Sequence, residues 1–175
     1  MSKHLARDLE LLEQEILAQA SVVETMIRTA CNSLCLRRTD MVWEVLEKEQ
    51  AVNRREVTVE EECLKILALH QPVATDLRRV ATVLKINSDL ERIADLAVNI
   101  SERSRALAEL PEIRVLEQLE TMSTLAVDMV RKALDAFVEL NADAARRVCA
   151  ADDKVDALNE AVISELNELM QKHPE

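Results

Sequence analysis

Glycine is absent from the 175 residues, as is tyrosine, and the chain holds only one tryptophan, one phenylalanine and three prolines. Sheets need turn glycines, with β-branched and aromatic side chains on their pleated faces, so these absences argue against strands. They also exclude the phosphate cradles and nucleophile elbows that depend on glycine. No apolar run approaches the roughly 18 residues of a membrane span. The start Met1-Ser2-Lys3-His4-Leu5-Ala6-Arg7-Asp8 is too polar for a signal peptide. A cytoplasmic protein is therefore expected, meeting membranes only peripherally, through partners. Positive charge is short as well: 22 Lys and Arg stand against 33 Asp and Glu, a net charge of −11. That balance disfavours nucleic acid and anionic lipid, and favours cations and basic protein surfaces.

Leu, Ala, Glu, Arg and Val dominate what is present, and most of these are good helix formers. Five long periodic segments follow one another. The first covers about residues 3–38; a turn at Thr39-Asp40 leads into a second, which runs to about residue 69. His70-Gln71-Pro72 breaks it, since proline is tolerated only near a helix start. The third covers residues 73–108 and ends at Glu109-Leu110-Pro111-Glu112; the fourth covers 113–140, Asn141 opens a turn, and the fifth ends near 172. Helices this long, joined by short loops, must run antiparallel to their neighbours as an up-down bundle.

The chain repeats. Sliding it by 103 residues places Met26 on Met129, Arg28 on Arg131, Asp40 on Asp143, Val52 on Val155, Val59 on Val162 and His70 on His173 without a gap. The expected organisation is all-α: two tandem three-helix bundles, residues 1–110 and 111–175, the second lacking its third helix, which at this offset would begin near 176. The repeat also bears on the four cysteines, which fit neither a disulfide framework nor a zinc motif. Cys31, Cys35, Cys63 and Cys149 fall on Leu134, Val138, Leu166 and Leu46, so all four are expected to be core fillers. Trp43 falls on Arg146 and is expected at the surface.

The third helix shows an apolar stripe of Val83, Ile86, Leu90, Ile93, Ala97 and Ile100, expected to face the core. Glu91 and Asp95 lie off that stripe, one turn apart and on one face, where two carboxylates suit a hard cation. On the second helix Glu49, Asn53 and Glu56 lie in or beside the stripe Val45, Val52, Val59, Cys63 and Ile66. The second copy puts Asp152 and Asp156 at the places of Glu49 and Asn53. Acidic pairs at this spacing are common on solvated helices, and it is the recurrence that gives them weight. The histidines, His4, His70 and His173, lie near segment ends and none follows a glutamate by three residues, so a ferritin-like di-iron site is not supported. His70 is expected to cap a helix end, Asp76 to favour the positive start of the third helix, and Arg78 to pair with an acidic neighbour.

The stretch Leu67-Ala68-Leu69-His70-Gln71-Pro72-Val73-Ala74-Thr75-Asp76-Leu77-Arg78, followed by Asp89-Leu90-Glu91-Arg92-Ile93-Ala94-Asp95-Leu96-Ala97-Val98-Asn99-Ile100, resembles the signature of the PhoU family of bacterial phosphate-signalling regulators. Through the repeat, the resemblance extends over the whole chain. It implies a non-enzymatic negative regulator of the phosphate-starvation response, linking the phosphate ABC transporter's ATPase subunit to a sensor histidine kinase. The missing helix leaves the apolar faces of helices 4 and 5 uncovered, so this half is expected to form a homodimer, to swap helices or to be poorly ordered. The resemblance also implies iron or zinc held by surface carboxylates: Glu91, Asp95, Glu49 and Asn53 at one site, with Asp152 and Asp156 beginning a second. Asn53 departs from the pattern by replacing a carboxylate, and without a sixth helix the second site is half formed. A metal-free helical adaptor is the first alternative reading, and a carboxylate-bridged metal store or metalloenzyme the second.

Overall fold

The computed structural model describes residues 3–110 and 117–172, and every regular element among them is helical. In chain order these are α1 (Lys3–Cys35), a 3₁₀ turn (Thr39–Met41), α2 (Val42–His70), α3 (Ala74–Ala108), α4 (Glu117–Val138) and α5 (Ala142–Lys172). Residues 113–116 of the expected fourth helix, Pro111-Glu112 of the expected boundary, and His173 lie outside the described residues. Pro72 stands two residues before α3 rather than in its first turn, with Val73 extended behind it.

α1, α2 and α3 pack on one another as a three-helix bundle. α4 lies along α1, and α5 packs on α4 alone among the described elements. α1 is thus the shared wall between the two halves, and its acidic residues serve every neighbour. Asp8 accepts from His70 Nε2 at 2.8 Å, Glu13 pairs with Arg79 of α3, Glu15 with Arg55 of α2, and Glu24 with Arg131 of α4. His70 is therefore a tie between helices rather than a simple cap. Arg79, not Arg78, makes the ion pair on α3.

The repeat is visible in the turns. Arg37 N donates to Leu34 O and Arg38 N to Ser33 O; 103 residues later Leu140 N donates to Phe137 O and Asn141 N to Ala136 O. These paired bonds close α1 and α4 with a left-handed residue, Arg37 at φ 52° and Leu140 at φ 53°. Glycine takes such positions without strain, and this chain has none. Arg37 has a compensating role, since its guanidinium donates to the carbonyls of Leu107, Ala108 and Leu110 at the end of α3. Leu140 is 68% exposed and has no such role. Leu140→Gly should therefore raise unfolding free energy by about 1 kcal/mol, measured by urea denaturation. The second copy also has a true N-cap, in which Ala144 N donates to Asn141 Oδ1 at 2.9 Å.

The α2 stripe is buried as expected, but that of α3 is rotated. Its buried row is Val80, Val83, Asn87, Leu90, Ala94, Ala97, Ser101 and Ser104, while Ile86, Ile93 and Ile100 are only half-buried. Small and polar residues take the close approach to α1 and α2. Two of the bulky isoleucines, Ile86 and Ile93, instead line an apolar cleft of about 170 Å³ opposite Val130, Ala133 and Leu134 of α4.

The cysteines need correction. Cys63 is fully buried and Cys31 and Cys35 are half-buried, but Cys149 is exposed. Its repeat partner Leu46 is half-buried on α2, which has helices on two sides, whereas α5 has one neighbour among the described elements. Burial pushes the Cys63 thiol up to about 11, so it stays protonated and inert at neutral pH. Trp43 is 70% exposed, as expected.

Candidate metal-binding face

The α2–α3 face assembles because both helices turn the same kind of side chain to the edge of their contact. Glu49, Asn53 and Glu56 are half-buried on α2, Glu91 is half-buried on α3, and Asp95 is exposed one turn beyond it. The helices are pinned in register beside these groups by Asn87. Its side chain is fully buried and its Nδ2 donates to the Glu56 carbonyl across the interface at 2.9 Å. Sequence reasoning passed over Asn87, although an amide inside an apolar row was the available signal.

The carboxylates feel one another. The Glu91 carboxyl is held above its ordinary value, first by burial and then by the charges of Asp95, Glu56 and Glu49, with a hydrogen bond that the protonated Glu91 donates to Asp95 adding to the effect. Glu56 is raised by burial and by the charges of Glu60 and Asp95. Negative charge from both helices is thus concentrated on one strip, and Glu49, Glu56, Glu91 and Asp95 make no ion pair among the described residues. Asn53 Nδ2 donates to Glu49 Oε1 at 2.5 Å, and its other amide atom, Oδ1, is buried without a partner. The donors are all oxygen, which suits a hard cation. Among the described residues, however, no three His, Cys, Asp or Glu side chains already converge as a ligand set.

A raised folded-state value gives a definite sign. Stability associated with Glu91 is fully present below its ordinary value of 4.5 and is lost as the pH climbs through the higher folded value. In chelator, Glu91→Gln should therefore melt above wild type at pH 7, the gap closing as pH falls below the glutamate range. Melting temperatures of the two proteins across pH check this.

Asp152 and Asp156 are not brought to this face. Both are exposed on α5, which packs on α4 alone among the described elements. Asp76 lies in the first turn of α3, where its charge suits the helix dipole. Arg78 is exposed and makes no ion pair among the described residues.

Long helices, doubled by a repeat and carrying a carboxylate strip across two of them, define a helical-bundle protein. The PhoU domain model matches residues 16–104 and again 119–175, and the chain belongs to the PhoU family. It is 34% identical over 174 residues to the phosphate-specific transport system accessory protein PhoU homolog of Deinococcus radiodurans, covering 99% of this chain and 82% of that one. It is 32% identical over 170 residues to the protein of the same description from Aquifex aeolicus, covering 97% and 77%. The crystal structure of PhoU from Pseudomonas aeruginosa superposes with a TM-score of 0.89 at 32% identity, covering 97% of this chain and 81% of that chain. These relatives are named as accessory proteins, not as enzymes. No helix among the described residues is long and apolar enough to cross a membrane.

Proposed function

We propose that the chain is a cytoplasmic negative regulator of the phosphate-starvation response, coupling a phosphate ABC transporter's ATPase subunit to a sensor histidine kinase. The observation that carries this reading is the family match in both halves, together with relatives that serve the phosphate-specific transport system by name. The rigid α1–α3 bundle offers long faces to two partners at once. In cells lacking the chain, a phosphate-starvation reporter should be expressed in phosphate-rich medium, and restoring the chain should silence it. A reporter that stays silent without the chain overturns the proposal.

The same reading assigns Glu49, Asn53, Glu91 and Asp95 to hold an iron or zinc ion, with Glu56 facing them. Its chemistry there would be to neutralise carboxylates that otherwise repel, and Asp152 and Asp156 would serve a second, partial site. The unpartnered Asn53 Oδ1 and the raised Glu91 support this assignment. The lack of a converged ligand set among the described residues favours the second reading, a metal-free adaptor with the same partners. Self-association belongs to the proposal as well: α5 exposes Ile163, Leu166 and Met170, an apolar row suited to a second copy.

A further inference from the structure

The outer ridge of α3 carries Arg78, Lys85, Arg92 and Arg103, all exposed. At the helical period the four fall within about 40° of one another, on the side opposite the buried row Val83, Asn87, Leu90, Ala94 and Ala97. Seven-residue steps separate the first three, about 10.5 Å each, and the whole row is roughly 38 Å long.

Such a row stands out in a chain of net charge −11. Many other cations of this protein are paired: Arg38 with Asp40, Lys48 with Glu44, Lys65 with Glu62, Arg79 with Glu13 and Lys132 with Asp128. None of the four ridge side chains makes an ion pair or hydrogen bond among the described residues. Asp89 is the one carboxylate on the same face, and it bridges neither Lys85 nor Arg92 although it lies between them. Leu96, 54% exposed, sits in the row between Arg92 and Arg103 and supplies an apolar contact.

We propose that this ridge is a docking surface for an acidic helix of another protein. Cations at heptad spacing along a convex helix match carboxylates at the same spacing on a helix laid beside it, the arrangement that flanks coiled-coil seams. The row is one residue wide, which fits a helix. A bilayer or a nucleic acid would bring its charge against the acidic remainder of the surface. This inference concerns a face separate from the carboxylate strip and does not depend on a metal there.

A helical peptide of about four heptads, with Glu at every seventh position, is the probe. Titrated into the full chain at low salt, it should bind, and Arg78→Glu/Lys85→Glu/Arg92→Glu should weaken it at least about ten-fold. Arg78→Ala/Lys85→Ala/Arg92→Ala adds no new charge and tests the same point where reversal disturbs folding; far-UV helix content monitors both. Added salt should weaken binding of the wild type and leave the reversal variant little changed. Equal affinity for a scrambled peptide of the same composition overturns the proposal, as does binding that the variants leave unchanged. Ridge-dependent binding of anionic vesicles or single-stranded DNA with no binding of the peptide overturns it too.

Discussion

Chelator-treated protein should gain roughly 5–10 °C in melting temperature when iron or zinc is added at about a hundred times its dissociation constant, and Glu91→Ala/Asp95→Ala should gain nothing. Binding to the folded state alone at that concentration is worth about 2.7 kcal/mol, and for a chain of this size each kcal/mol shifts melting by about 2–4 °C. The face behind the prediction holds negative charge from two helices: Glu91 is raised by Asp95, Glu56 and Glu49, and Glu56 in turn by Glu60 and Asp95. A cation placed there relieves repulsion that no ion pair among the described residues offsets. The double variant removes two of these charges and no buried apolar contact, so in chelator it should melt no lower than wild type. That control separates a lost site from a damaged fold. If no di- or trivalent ion shifts the wild type, or if the double variant still responds, the cation role is wrong and the metal-free adaptor stands.

Much of the fold was legible because long helices leave long signals. The absence of glycine, the breaks at His70-Gln71-Pro72 and before Asn141, and the offset of 103 residues placed all five helices. The match of turn hydrogen bonds at Arg37 and Leu140 shows that the repeat is one of geometry as well as of sequence. What periodicity could not supply was rotation. An apolar stripe marks a face to within about one residue, and α3 has two neighbouring faces to satisfy. Choosing the bulkiest residues selected isoleucines of which two line the cleft opposite α4, and missed Asn87, Ser101 and Ser104, whose small or hydrogen-bonding side chains let the helices approach closely. Gln19 escaped notice for the same reason. It is fully buried on α1, and its repeat partner is Met122, which was the available clue. At the candidate site, Glu91, Asp95, Glu49 and Asn53 were legible from spacing and resemblance. The placement of Asp152 and Asp156 depends on what surrounds α5, which a pairwise motif does not encode. Cys149 is exposed for that same reason, despite a repeat partner that is half-buried.

Ile16→Ala should cost about 2–5 kcal/mol, lowering the melting temperature by roughly 5–15 °C, whereas Ile163→Ala should change stability by less than about 0.5 kcal/mol. Both remove the same atoms, so the contrast isolates the environment. Ile16 is 1% exposed on α1, the helix that touches α2, α3 and α4, and its loss leaves a cavity inside a packed core. Ile163 is 51% exposed on α5, which has α4 as its one neighbour among the described elements. Because α1 is the wall shared by the two halves, Ile16→Ala should lower the melting of α4 and α5 together with the rest, in a single transition followed by far-UV circular dichroism. A variant that instead melts in two steps, with the α4–α5 pair holding its original temperature, would show that the α1–α4 seam contributes little. The ion pair between Glu24 and Arg131 is too exposed and too long, at 3.9 Å, to couple the halves by itself. The coupling must therefore come from apolar packing of α1 on α4, to which the buried Val127 and Leu134 belong, in one core cluster with Ile16.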